Sequence, residues 1–277
     1  MATSSHADDR PLALLIRAPG TNCDREMATA FGLAGARAAT VHVERLIADP
    51  APLRDAALVG LPGGFSYGDD VAAGRVFAHR LARGLAEPLT AAVERGVPVL
   101  GVCNGFQVLV KLGLLPGWSP ADSAGWTQQT TLIDNAHPRF IDRWVDCVVP
   151  DEADGGGRCV WTRGLGSCEL PIAHGEGRFA ASPAVLDRLE AGGQIALRYA
   201  DPADNPNGSA RAVAGITDPT GLVLGLMPHP ERYTDALQHP RWTRLSPADR
   251  AAETPGLRLF RNAVEHVRAG TPVPTPG

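Results

Sequence analysis

The chain has 277 residues, 44% of them hydrophobic, and a net charge of −4 with an isoelectric point near 6.1. That is enough apolar material for one large α/β domain, and the charge leaves no basic footprint for nucleic acid or an anionic membrane surface. The opening "MATSSHADDRP" lacks the charged-then-apolar order of a secretory signal, and no apolar run is long enough to span a bilayer, so a cytoplasmic enzyme is expected.

In chain order, residues 1–11 read as a disordered segment, followed by an apolar run "LALLIRA" at 12–18 that suits a buried strand. A helical pattern "DREMATAFGLAGA" covers 24–36, opening on acidic Asp24 and closing on Gly35. The runs "AALVGLP" (56–62) and "VPVLGVC" (97–103) read as further buried strands, with "VFAHRLARGLAEPLTAAVERG" (76–96) as helix between them. After residue 114 the pattern loosens into loops, with shorter strands near "RWVDCVV" and "RCVWT" and an exposed "PDEADGGGR". "GQIALRY", "ARAVAGI" and "LVLGLMP", within 193–228, resume as strands, and "GLRLFRNAVEHVR" (256–268) reads as a closing helix. Strand and helix alternate, which predicts a doubly wound, mostly parallel sheet with helices on both faces and a site at the carboxyl ends of the strands. A single domain over 12–269 is expected, with loop insertions near 117–135 and 233–255 and a loose Pro-rich tail at 270–277.

Five cysteines, Cys23, Cys103, Cys147, Cys159 and Cys168, are scattered with no C-x-x-C pair, so neither a disulfide framework nor a zinc site is suggested. Lys111 is the only lysine, which reads as a coding bias toward arginine. Cys103 differs from the other thiols in its setting. In "VPVLGVCNGFQVLVKLG" it sits between a strand and a helical pattern, with Gly101 and Gly105 two positions to either side. That is the spacing of a sharp turn presenting a nucleophile; the alternative is an ordinary buried core cysteine. A helix N-terminus favours thiolate over thiol, and the Asn104 N–H would face a developing oxyanion. A second donor is available at Gly63 and Gly64 in "LPGGFSYGDD", although a glycine pair is also the signature of a plain tight turn. Gln107, four residues after Cys103, shares its helix face and could bind a ligand or lie on the surface. Cys23 also follows a strand and precedes a helix, but lacks glycines on both sides.

A thiol nucleophile needs a base and a group to orient that base. His followed two residues later by a carboxylate occurs at His174 and Glu176 in "IAHGEGRF" and at His229 and Glu231 in "LMPHPERY". Spacing does not choose between them; the second follows the more apolar strand and is stiffened by Pro230.

Taken together, "APGTNCDREMATAF", "LPGGFSYGDDVAAG", "GVCNGFQVL", "PIAHGEGRF", "NPNGS" and "GLMPHPER" resemble the glutamine amidotransferase subunits of phosphoribosylformylglycinamidine synthases, within the class I glutamine amidotransferases. The resemblance runs in family order over residues 12–232. It implies the class I fold with its nucleophile elbow, Cys103 as nucleophile, His229 as base and Glu231 as the residue orienting it. It further implies Gly64 and Asn104 as oxyanion-hole donors and Gln107 as a glutamine contact. His174 and Glu176 belong to a subfamily motif and are expected near the substrate entrance or the partner surface. The implied activity is hydrolysis of L-glutamine through a γ-glutamyl thioester. The ammonia would pass to a separate ATP-dependent synthetase subunit that converts formylglycinamide ribonucleotide to its amidine in purine biosynthesis. ATP and Mg are expected on that partner, no metal or cofactor on this chain, and a small accessory subunit is left open. Two other readings are a stand-alone DJ-1/PfpI-like cysteine hydrolase, which would not need "MPHPER" or "GGFSYGD", and a non-catalytic regulatory subunit, against which the intact Cys103, His229 and Glu231 argue. The chain departs from the family in extra residues between Gly117 and Asn135, including Trp118 and Trp126, in His137 where a serine is usual, and in a longer segment after Arg232. The tryptophans are read as local packing anchors or as partner-facing.

Overall fold

In the computed structural model, residues 9–118, 127–150 and 157–270 are described. Strand β1 (Leu12–Arg17) leads through helix α1 (Asp24–Leu33) to β2 (Arg37–His42), and two short helices, α2 (Val43–Ala48) and α3 (Ala51–Asp55), lead to β3 (Leu58–Leu61). Helices α4 (Arg75–Gly84) and α5 (Ala86–Glu94) precede β4 (Val99–Val102) and α6 (Asn104–Leu112). Strands β5 (Thr131–Ile133), β6 (Ile141–Val148), β7 (Ser167–His174) and β8 (Arg178–Ala180) follow, then α7 (Pro183–Ala191), β9 (Ile195–Tyr199), β10 (Val213–Thr217) and β11 (Val223–Leu226). Helices α8 (Pro247–Ala251) and α9 (Pro255–Arg268) close the chain.

Among the described residues one nine-stranded sheet runs in the order β2-β1-β3-β4-β11-β10-β9-β6-β7, with β5 and β8 forming a separate pair. From β2 to β11 every pairing is parallel. β3, β4 and β11 are buried along their whole length, as the continuous apolar runs require of strands covered on both faces. From β11 to β7 every pairing is antiparallel. The expected doubly wound sheet therefore carries an antiparallel extension, and β7 at its edge returns toward the carboxyl ends of β4 and β11: the His229 N–H donates to Pro171 O at 2.8 Å.

Three local differences from the sequence reading have physical causes. Residues 76–96 form two helices because Pro88 lacks an N–H and, in an unbroken helix, its ring would meet the Gly84 carbonyl; Leu85 leaves helical space at φ −136°. "RCVWT" is a turn, in which Trp161 is fully buried and donates Nε1–H to Leu222 O at 2.8 Å. β2 and β7 were not anticipated: β2 alternates weakly because it is a half-exposed outer strand, and Pro171 argues against a strand anywhere except at an edge.

The segment after Arg232 is folded onto β6 and β7. His239 Nε2 lies 3.0 Å from Glu169, Arg241 holds the same carboxylate, and Trp144 packs edge-on against Tyr233 and His239. Trp118 is buried, donating Nε1–H to Gln194 Oε1 at 2.7 Å under the Arg188 guanidinium, so it packs the domain. Trp126, residues 1–8, much of the 117–135 insertion and of "PDEADGGGR", and the tail from 271 lie outside the described residues.

Candidate active site

The carboxyl ends of β3, β4 and β11 lie side by side, and the predicted residues converge there. Cys103 leaves β4 at φ +51°, ψ −105° and caps α6. That left-handed geometry is costly for a residue with a side chain and holds the thiol out of the sheet plane. It depends on close packing behind the thiol: a Cβ on Gly105 would lie 1.9 Å from Leu61 O, and one on Gly101 2.6 Å from Leu109 Cδ1. The Cys103 Sγ sits 3.7 Å from Ala173 O of β7.

His229 follows β11 and places Nδ1 2.7 Å from Glu231 Oε1, both side chains being almost completely buried. Its Nε2 has no hydrogen-bond partner among the described residues. Burial works against charge on this ring, but the Glu231 carboxylate and the Cys103 sulfur outweigh it and hold its pKa well above the ordinary 6.5. A Cβ on Gly63 would lie 2.9 Å from His229 Cε1, 3.2 Å from Cys23 Sγ and 3.5 Å from Cys103 Cβ, so only glycine lets these three groups meet.

The Gly63 carbonyl accepts the N–H groups of Asn22 (3.3 Å) and Cys23 (3.2 Å) at the start of α1. Carbonyl and N–H of one trans peptide point opposite ways, so the Gly64 N–H is directed away from α1. The local bridge between Thr21 and Gly64 is closed by Phe65 N–H to Gly20 O and Asn22 N–H to Gly63 O, and does not consume that donor. The Asn104 N–H, in the first turn of α6, is free by the nature of helix termini.

The Asn104 side chain is buried, donating to Asp69 Oδ1 and to Gln107 Oε1, each at 3.0 Å, and accepting the Ser66 N–H at 3.3 Å. Gln107 in turn donates Nε2–H to the Glu176 carbonyl, at 2.5 Å, and Glu176 Oε2 accepts the Ala73 N–H at 3.1 Å. Burial, and then Glu176 against the opposing Gly74 N–H, push Asp69 up to about 6.

A cavity of about 290 Å³ runs from Cys103 and Gly64 past Gln107, His174 and Glu176 to Asp134 and Arg139. A smaller one of about 180 Å³ meets it at Cys103 and Gly64 and reaches Cys23, His229 and Arg232. Phe65 and Phe140, 6.3 Å apart and 46% and 54% exposed, border both.

All nine residues singled out in the sequence meet at this place. The structure separates the two His-x-Glu pairs: His229 engages Glu231, whereas His174 turns to Asn135 and Glu176 to the Ala73 N–H. His174 and Glu176 line the cavity wall. "NPNGS" stays out of the cavity and braces the turn between β7 and β8, with Asn207 Nδ2 donating to Gly177 O at 2.7 Å and Ser209 Oγ accepting the Phe179 N–H at 3.0 Å. Sequence reading missed Arg232, whose Nη2 lies 3.2 Å from Cys23 Sγ, and Asp69 and Asn135. Arg232 and Asp69 stand inside the motif strings; Asn135 was read only as the landmark that closes the 117–135 segment. Cys23 is not at an elbow but shares the smaller cavity with Cys103, beneath Gly63.

Over residues 10–267 the chain matches the model of the CobB/CobQ-like glutamine amidotransferase domain. It is 41% identical over 265 residues to phosphoribosylformylglycinamidine synthase subunit PurQ of Dehalococcoides mccartyi, covering 92% of this chain and 97% of that one. Identity to the PurQ subunit of Treponema denticola is 43% over 242 residues, covering 80% and 88%. Among solved structures, PurLQS from Thermotoga maritima matches with a TM-score of 0.69 at 30% identity, covering 93% of this chain and 99% of that chain. A glutamine amidotransferase from the same organism, 16% identical with a TM-score of 0.54 and covering 93% and 98%, shares the fold.

Proposed function

The chain belongs to the CobB/CobQ-like glutamine amidotransferase family and, within it, to the PurQ subunits of phosphoribosylformylglycinamidine synthase, and from that premise we infer how its site works. It is the glutaminase subunit of that synthase and supplies ammonia to the synthetase subunit in purine biosynthesis. The ammonia serves to convert formylglycinamide ribonucleotide to formylglycinamidine ribonucleotide. A stand-alone DJ-1/PfpI-like hydrolase and a non-catalytic subunit are not favoured, given relatives of one name over nearly the whole chain.

The observation that carries the assignment of roles is the pairing of His229 with Glu231 beside a thiol held at φ +51°. The Cys103 thiolate attacks the side-chain amide carbon of glutamine, forming the C–S bond, and the carbonyl oxygen becomes an oxyanion facing the Gly64 and Asn104 N–H groups. His229, an imidazolium facing the thiolate, gives its Nε2 proton to the amide nitrogen, the C–N bond breaks, and ammonia leaves. Neutral His229 then takes a proton from water, whose oxygen attacks the γ-glutamyl thioester; the C–S bond breaks and glutamate is released. Glu231 keeps the imidazole oriented throughout. Gln107, fixed by Asn104 and the Glu176 carbonyl, borders the bound glutamine.

ATP and Mg belong to the partner in this reading, since no Walker-type phosphate loop occurs in the sequence. No helix among the described residues is long and apolar enough to cross a membrane, and the biosynthetic role supports a cytoplasmic setting. Cys103→Ser in the assembled synthase should abolish glutamine-dependent amidine synthesis and spare synthesis driven by ammonium salts. Retention of the glutamine-dependent rate would remove Cys103 from its role.

A further inference from the structure

His174 is 3% exposed, it is one of the residues lining the larger cavity, and the reaction sequence above gives it nothing to do. Its protonation is dictated by its neighbours. Asn135 Nδ2 lies 2.9 Å from the carbonyl oxygens of both His174 and Arg139, so that atom must be the NH2 group and Oδ1 the opposite end of the amide. Oδ1 accepts the Gly177 N–H at 3.2 Å and lies 3.0 Å from His174 Nδ1. An amide oxygen can only accept, so Nδ1 carries the ring proton. Burial, with the charge of His229 adding to it, lowers the pKa of the ring to about 4, so it is neutral near physiological pH and Nε2 is a bare lone pair. That atom is buried with no hydrogen-bond partner among the described residues. The ring is also clamped, since a Cβ on Gly177 would lie 2.2 Å from His174 Nδ1.

A buried acceptor held without a partner, on a residue that lines a cavity, calls for a donor from the ligand. Asp69, Asp134 and Glu176 line the same cavity and offer carboxylates to the α-ammonium of an amino acid. At the sulfur end the wall is β7, where Ala173 O lies 3.7 Å from Cys103 Sγ and His174 is the next residue. The group that must sit there is the carboxamide, whose NH2 carries two donors.

We propose that His174 Nε2 accepts a hydrogen bond from the carboxamide nitrogen of glutamine, and then from the ammonia that nitrogen becomes, so that this histidine makes the site select an amide. Asn135 is the residue that positions it. The proposal rests on the glutaminase reading and adds a substrate contact to it.

The test compares glutamine with the γ-methyl ester of glutamate, which presents the same side-chain carbonyl carbon but no N–H on the leaving group, in the assembled synthase. Glutamate release is followed for both. In His174→Phe, kcat/KM for glutamine should fall roughly tenfold, the scale of one lost hydrogen bond, while that for the ester stays within about twofold. His174→Gln, which returns an acceptor oxygen, should recover part of the preference for amide. The amide-to-ester ratio is internal to each preparation, so a partly folded variant still reports it. A loss shared equally by both substrates, or none with either, overturns the proposal. Wild-type synthase that released glutamate from neither substrate would instead overturn the glutaminase reading itself.

Discussion

Two histidines stand at one site and are prepared for opposite charge states. His229 is held protonated by Glu231 against the cost of burial, and His174 is held neutral by burial, with Asn135 fixing its tautomer. Imidazole titration followed by NMR should therefore show a midpoint near 4 for His174 and one well above 6.5 for His229. The two contribute to stability in opposite senses. For His174 the folded pKa is depressed, so its contribution is complete above about 6.5 and is lost as pH falls through about 4. For His229 the folded pKa is raised, so its contribution is complete below about 6.5 and is lost as pH rises through the raised value. A pair of midpoints both near 6.5 would contradict the environments described for the two rings.

At the scale of elements, the site depends on segments distant in sequence being braced against one another. Asn22 and Cys23, which lead into α1, hold the Gly63 carbonyl through their N–H groups, so turning the Gly63–Gly64 peptide to withdraw its donor would break both bonds. Losing one oxyanion donor costs about 2.7–4 kcal/mol of transition-state stabilisation, so the backbone entering α1 matters to the chemistry. Another brace joins the end of α6 to the antiparallel half of the sheet. Gln194, next to β9, donates Nε2–H to Pro116 O and Thr217 O at 2.9 and 2.8 Å and accepts from Trp118. Trp118→Ala removes a large buried side chain and should destabilise the fold by about 3–5 kcal/mol, read from chemical denaturation. The affinity of the folded variant for the synthetase should match wild type. A variant that is fully stable but binds the synthetase weakly would return Trp118 to the docking role that its sequence also allowed.

For the whole molecule, the cavity at Cys103 opens beside Phe65 and Phe140, and an apolar pair this exposed at the rim of a reactive site leaves water free to enter and ammonia free to escape. A partner covering the rim would exclude water and strengthen the electrostatic contacts within. Glutamate release is therefore expected to rise at least about tenfold, or about 1.4 kcal/mol in barrier, when the synthetase with ATP and formylglycinamide ribonucleotide is added to the chain. Equal turnover with and without the partner would argue for a self-sufficient hydrolase.

The buried strands β1, β3, β4 and β11 were legible in the sequence because strands covered on both faces must be apolar along their whole length, and each such run here was short and bounded by turn residues. The elbow was legible because Gly101 and Gly105 answer a purely local steric demand around Cys103. Local spacing could not decide between His174 and His229, since His-x-Glu is the same string at both; the family resemblance favoured the second, and in the structure only its imidazole reaches its own carboxylate. Asn135, 39 residues before His174, gave no signal, because the hydrogen bond that fixes a tautomer forms between side chains which only the β-sheet and its turns bring together. β7 and the antiparallel extension were likewise invisible in advance: Pro171 is tolerated there only because the strand lies at an edge, and being an edge is a property of the whole sheet.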